Sequence, residues 1–224
     1  MKQILTLLFV SITTLGVVSG CSKNVPDSDT FVSYDIVKLE SQSASGSTFV
    51  LYRPNSDEPI VYTESRQVID TLQVPVGNRL MLGSVPAQAP YKSGPITAKS
   101  YSVINNDTLR LYKDEVFDND WQRDGIYVFS IWRTGNYLNV HGKVTQTNVA
   151  ILKLGMTQTD WERQNPMPQL YLFYRMNTPT PNYQREFYAS FDLSPLWLQE
   201  WCEGIELNVA NTNLKQDKFI FSKQ

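Results

Sequence analysis

Ile126-Tyr-Val-Phe-Ser-Ile-Trp-Arg133 and Tyr137-Leu-Asn-Val-His-Gly-Lys-Val144, joined by Thr134-Gly135-Asn136, form the stretch whose reading decides the fold. Each arm is eight residues long and rich in β-branched and aromatic side chains, as half-buried strands require. Gly135-Asn136 supplies the backbone freedom of a tight hairpin loop. In the second arm Leu138 and Val140 point to one side, and Tyr137 and Asn139 to the other. One face therefore suits a core.

The same pattern runs to the C terminus. Val149–Leu154, Leu170–Met176, Phe187–Leu193, Ile205–Val209 and Phe219–Phe221 read as further strands, and their turn chemistry predicts an antiparallel β-sandwich. Leu170, Leu172, Tyr174 and Met176 share one face of their strand, and Tyr171, Phe173 and Arg175 the other. That strand is expected to be central or to cover an interface. Two segments suit short helical turns. They are Thr157–Arg163 and Ser194–Trp201, the latter with Ser194 as N-cap, Pro195 at its first position and Gly204 beyond its end. Trp197 and Trp201, four apart, would share a face of that helix.

The first half carries shorter strands. Val32, Tyr34 and Ile36 alternate with Ser33 and Asp35, a period of two. Phe49–Tyr52, Ile60–Tyr62, Arg79–Leu82, Tyr101–Ile104 and Leu109–Tyr112 follow, and the last two flank Asn105-Asn106-Asp107 as a tight antiparallel hairpin would. Short strands over this length predict a small barrel or sandwich. The acidic stretch Lys113–Asp124 breaks the pattern, which places a boundary near Phe117–Trp121 and divides the chain into 31–116 and 117–224.

Residues 1–20 read as a leader. Lys2 gives a charged start, an apolar-to-small run covers Ile4–Val18, and Val18-Ser19-Gly20 precedes Cys21. A cysteine directly after small residues marks a lipoprotein cleavage site, so Cys21 is expected to become the acylated first residue. Several acyl chains (palmitate among them) hold a protein on a membrane where one does not. The apolar run is short for a membrane span, which needs about 20 residues. The polar stretch Ser22–Thr30 then reads as a tether, residues 21–30 in all. With Cys21 acylated, Cys202 is left unpaired and is expected to behave as a small buried hydrophobe.

The formal net charge is −2, from 20 basic and 22 acidic side chains, with no basic patch. Nucleic acid is therefore not an expected partner. His141, the one histidine of the sequence, lies on an expected strand; zinc or iron sites want several His or Cys ligands. No nucleophile elbow, phosphate-cradling glycine loop or calcium loop occurs. Asp114, Glu115, Asp118 and Asp120 cluster on the expected linker, where charge is ordinarily solvated. No catalytic, cofactor or metal-binding residue is assigned, and no cofactor is implied. Trp121, Trp132, Trp161, Trp197 and Trp201 suit either a core or platforms for sugar rings and protein partners.

Ile131-Trp-Arg-Thr-Gly-Asn-Tyr-Leu-Asn-Val140, Gln169-Leu-Tyr-Leu-Phe-Tyr-Arg175 and Phe187-Tyr-Ala-Ser-Phe-Asp-Leu-Ser194 resemble the NigD-like lipoproteins of Gram-negative anaerobes. Asn136 separates the Gly and Tyr of the family's Gly-Tyr-Leu-Asn element. The resemblance implies a lipobox, an OB-like N-terminal β domain and a C-terminal β-sandwich, with no established catalytic residues to carry over. It points to a non-enzymatic lipoprotein of the outer membrane, on either face, binding an envelope oligosaccharide or protein. The alternatives are an assembly or bacteriocin-associated immunity component, or a glycan-active hydrolase. Cys21→Ser should leave the preprotein uncleaved or release it from the membrane fraction. Unchanged processing and fractionation in immunoblots would refute the anchor.

Overall fold

The computed structural model describes residues 32–88, 90–113, 125–146, 150–176 and 183–223. The leader, Cys21, the tether and the expected boundary near Phe117–Trp121, with its four acids, lie outside the described residues. Among those described, no helix is long and apolar enough to cross a membrane.

Five strands close a barrel: β1 (Ser33–Ser43), β2 (Gly46–Tyr52), β3 (Pro59–Glu64), β4 (Arg79–Pro86) and β5 (Gly94–Val103). Their order is β1-β2-β3-β5-β4, with β3 and β5 parallel and the other pairs antiparallel. The strand pattern left a small barrel or a sandwich open; the structure is a closed barrel, the OB-like form that the family resemblance implied. Alternation builds its core. Phe49 and Leu51 of β2, Ile60 and Tyr62 of β3, and Leu80 and Leu82 of β4 point inward, and Ile69 and Val74 from the β3–β4 loop close one end.

At that end Glu64 is 4% exposed. Its carboxylate accepts from Arg66 Nε and Nη2 at 3.0 and 2.9 Å and from the Ala98 amide at 2.8 Å. The Arg66 hydrogen bonds, more than any other influence, lower its pKa from 4.5 to about 2.

The chain then enters a sandwich. One sheet has the order β6-β12-β9-β8, from β6 (Asn105–Thr108), β12 (Tyr183–Asp192), β9 (Tyr137–Gln146) and β8 (Tyr127–Thr134). The other has the order β14-β13-β11-β10-β7, from β14 (Lys218–Ser222), β13 (Gly204–Val209), β11 (Gln169–Met176), β10 (Ala150–Thr157) and β7 (Arg110–Tyr112). Leu138, Val140 and Phe191 meet Leu154, Leu170, Leu172 and Leu207 between the sheets. Cys202 is a free, buried cysteine within this core.

Three expectations are corrected. The hairpin around Asn105–Asp107 does not form: β6 runs parallel to β12 in one sheet and β7 parallel to β10 in the other. The sandwich is thus mixed, not purely antiparallel, and β11 and β13 are also parallel because β12 intervenes in the opposite sheet. The helix expected over Ser194–Trp201 spans only Ser194–Trp197 (α2), with Leu193 at the N-cap; Ser194 is its first residue and its hydroxyl bonds Asp192 Oδ1 at 2.5 Å. Trp201 lies past the helix and meets Trp161 edge-on at 5.7 Å. The other helical turn forms as expected: α1 (Gln158–Glu162) is capped by the Thr157 hydroxyl.

The β8–β9 hairpin has a two-residue loop. Gly135 takes φ +54° there, the left-handed region that glycine enters freely. A Cβ on Gly135 would stand 3.0 Å from the Tyr52 ring. The loop is clasped by the β2–β3 connection of the barrel, through Asn55 N to Arg133 O and Gly135 N to Ser56 O, both 2.8 Å.

A second clasp is buried deeper. Arg79, at the start of β4, is 2% exposed. Its Nη1 donates to Asn139 Oδ1 and Ser190 Oγ at 2.9 Å, and its Nη2 to Ile36 O at 2.9 Å and Thr134 Oγ1 at 3.3 Å. The guanidinium lies over the Tyr137 ring at 4.3 Å. Asn106 of β6 takes both backbone groups of Arg79, accepting from its N–H at 3.0 Å and donating to its carbonyl at 2.7 Å. Asn139, outward on its sheet, is fully buried because this joint covers it.

A carboxylate pKa lowered by folding stabilises the fold above its unfolded value, and that contribution is lost as pH falls through the folded value. Glu64→Gln should therefore lower unfolding free energy at neutral pH by about 2 kcal/mol, after allowing for screening of the exposed Arg66. The difference between variant and wild type should shrink as pH falls from 4.5 towards 2. A gap in urea unfolding that does not change with pH would contradict this origin.

Candidate functional site

Where the barrel lifts away from the β6-β12-β9-β8 sheet, a cleft of about 420 Å³ opens. Its barrel side carries Tyr34 and Asp35 of β1, Tyr52 at the end of β2 and Tyr91 from the β4–β5 loop; its sheet side carries Trp132 of β8 and Tyr188 of β12. Concave sites lined by rings with a few polar groups are the usual form of a small-ligand site. Loops between barrel strands are also where OB-like barrels take ligands.

Tyr91 is held in an unusual conformation, at φ +61°. A bulky aromatic residue gains nothing from the left-handed region, which costs it about 1–2 kcal/mol. Surrounding bonds enforce it: its N–H donates to the Tyr62 hydroxyl at 3.2 Å, and its carbonyl accepts from Arg53 Nη2 at 3.2 Å. The Asp35 charge, followed by burial, raises the pKa of the Tyr91 hydroxyl. Asp35 Oδ2 also accepts from the Ser33 hydroxyl at 2.6 Å.

Met81 and Tyr188 also border a second hollow of about 540 Å³. It continues along the seam past Ser102 and Asn105 to Arg185, Glu186 and Phe187. Tyr188 stacks on His141, with centroids 4.1 Å apart and planes at 8°. Phe129 follows at 4.7 Å and Tyr127 at a further 5.2 Å. His141 Nε2 and Glu186 Oε1 are 2.7 Å apart, and Lys143 Nζ lies 5.1 Å from the Phe129 centroid. His141 therefore belongs to an aromatic track on the outer sheet face, as a strand residue beside its neighbours.

The tryptophans divide between roles. Trp197 is buried beneath Arg133, whose guanidinium lies 4.7 Å from the ring centroid. Arg133 Nη1 in turn pairs with Asp57 of the barrel. Trp161 and Trp201 pack on the sandwich core, Trp132 lines the cleft, and Trp121 lies outside the described residues. The described residues hold no group of three or more His, Cys, Asp or Glu suited to a metal ion. Among the described residues lining the cleft, Asp35 is the one carboxylate, whereas glycoside hydrolysis uses a facing pair. Sequence reasoning missed Tyr34, Tyr52, Tyr91 and Tyr188 as a group, because no spacing links them.

Relief of strain gives a direct test of Tyr91. Tyr91→Gly should leave the unfolding midpoint unchanged or raise it, although a ring is lost, because glycine occupies φ +61° freely. A loss of stability above about 1 kcal/mol in denaturant titration would show that the ring serves packing instead.

Comparison with known proteins follows the fold. No curated protein matches the chain. Among solved structures, a protein of unknown function from Bacteroides vulgatus superposes with a TM-score of 0.68 at 16% identity, covering 87% of this chain and 92% of that one. A NigD-like immunity protein from Bacteroides caccae gives 0.55 at 13%, covering 85% and 91%. A candidate lipoprotein from Bacteroides fragilis gives 0.58 at 12%, covering 87% and 99%. These likenesses concern the fold. A family profile described as the NigD-like C-terminal beta sandwich domain matches residues 109–222. With half of its length matched, from β7 to the last strand, the chain belongs to the NigD-like family.

Proposed function

We propose that the mature chain is a non-catalytic, lipid-anchored protein of the Gram-negative outer membrane that binds an envelope ligand in the cleft between barrel and sheet. The observation that carries this reading is the convergence of Tyr34, Tyr52, Tyr91, Trp132 and Tyr188 on one concavity, with Tyr91 held in a strained backbone. Strain of this kind persists where the surroundings over-determine it, and it clusters at ligand sites. The leader and Cys21 support the anchor, as does the fold shared with a candidate lipoprotein. The lining residues supply rings and hydrogen-bonding groups, which is equipment for holding a molecule.

A second reading is that the cleft receives a protein and the chain confers immunity or assists assembly. It draws support from the fold shared with a NigD-like immunity protein. Both readings predict a partner at the cleft.

Site-specific photo-crosslinking in intact cells tests the proposal. With a photoreactive residue in place of Tyr34, at the cleft mouth, the full-length protein should fractionate with membranes and capture an envelope component. The same residue in place of Ile220, on the opposite sheet, should not. Capture at position 34 should fall when Trp132→Ala is added. A soluble product, or equal capture from both positions, would overturn the proposal. The chemical nature of the captured component separates the two readings.

A further inference from the structure

We infer that the ligand of this cleft is a neutral oligosaccharide, one pyranose unit of which sits among Tyr52, Tyr91 and Trp132. The inference rests on the binding reading above and specifies its ligand class. Three features of the cleft support it together. First, its lining combines aromatic and polar residues: Trp132, Tyr34, Tyr52 and Tyr91 stand with Asp35 and Thr134. A pyranose has the same duality, apolar C–H faces with hydroxyls around its equator, so rings take its faces and the carboxylate accepts its hydroxyls.

Second, the local charge is balanced. Asp35 lies in the lining, and the Arg53 guanidinium lies 6.0 Å from the Tyr91 centroid on the same loop cluster. That balance favours a neutral chain over an anionic one. Third, the site is concave and extended. Protein partners are ordinarily met by broad surfaces of about 800 Å² per side, whereas a cleft of 420 Å³ falls in the range for small ligands.

The seam continues past Met81 and Tyr188 into the second hollow, where Ser102, Asn105, Arg185 and Glu186 add hydrogen-bonding groups. A ligand longer than one ring has a path along it. The chain should therefore favour oligomers over the monosaccharides that compose them. Tyr91 acts as a positioning residue for the barrel wall, its strained backbone fixing the ring at the mouth.

The test uses full-length protein purified from membranes in detergent, titrated calorimetrically with neutral gluco-, galacto-, manno- and xylo-oligosaccharides of about four to six units. At least one series should bind with Kd below about 1 mM, and at least tenfold more tightly than its monosaccharide. Trp132→Ala and Tyr52→Ala should each weaken binding about tenfold or more, as loss of a stacking ring does. Trp161→Ala, in the sandwich, should not. Binding to none of the panel, or binding indifferent to Trp132→Ala, overturns the ligand class. If position 34 still captures a protein in cells, the binding reading stands and the carbohydrate assignment alone falls. If it captures nothing, both fall.

Discussion

One buried cation determines how the two β modules meet. Arg79 leaves β4 of the barrel and ends among Asn139, Ser190 and Thr134 on the outer face of the opposing sheet. Removing a guanidinium from water is costly, and burial draws its pKa down to about 10, so it stays charged at neutral pH. Four neutral oxygens and the Tyr137 ring replace its hydration. Those partners come from β1, β8, β9 and β12, so Nη1 and Nη2 find their acceptors only when barrel and sheet are in register; Nε, also buried, has no hydrogen-bond partner among the described residues. A greasy contact would tolerate sliding; directional hydrogen bonds do not.

The cleft follows from this joint. Arg79 and the Arg133–Asp57 pair hold barrel to sheet along part of the seam, and where the two surfaces diverge their side chains face solvent instead of each other. Outward positions of one sheet thus have two fates. Asn139 and Ser190 are buried in the joint, while Tyr188 and His141, their neighbours along the strands, emerge at the cleft and the aromatic track. Tyr91 completes the opposite wall from a loop held by Tyr62 and Arg53.

How much of this was readable from the sequence varied with the strength of the local signal. The hairpin of Ile126–Val144 and the later strands were legible because their apolar period is long and the Gly135 turn is explicit. The second half of β1 was not, because Ser41 and Ser43 carry no apolar alternation and a register shift lies between Leu39 and Ser41. The part of β5 before Tyr101 hides for a similar reason, since Ile96 is its one fully buried core residue, whereas its end falls in the strand expected at Tyr101–Ile104. β6 reads Asn-Asn-Asp-Thr, a turn by every local rule, yet pairing with β12 and the hold of Asn106 on Arg79 make it a strand. The cleft was invisible because its residues come from strands β1, β2, β4, β8 and β12 and from two loops, far apart in the sequence. An arginine within each of two strand-like runs, Arg79 and Arg133, was the available hint of a buried joint.

The central claim is that Arg79 couples the barrel to the sheet and thereby forms the cleft. Hydrogen exchange of mature protein across a urea series, followed by mass spectrometry, tests it most directly. In wild type, β1 and β4 should lose protection at the same urea concentration as β9 and β12. In Arg79→Met, which leaves Ser190 Oγ without its donor and Asn139 Oδ1 with the Ser190 hydroxyl alone at a cost of about 2 kcal/mol, barrel peptides should lose protection first, at lower urea than the sandwich. A variant whose barrel and sandwich still open together at the wild-type midpoint would contradict the account.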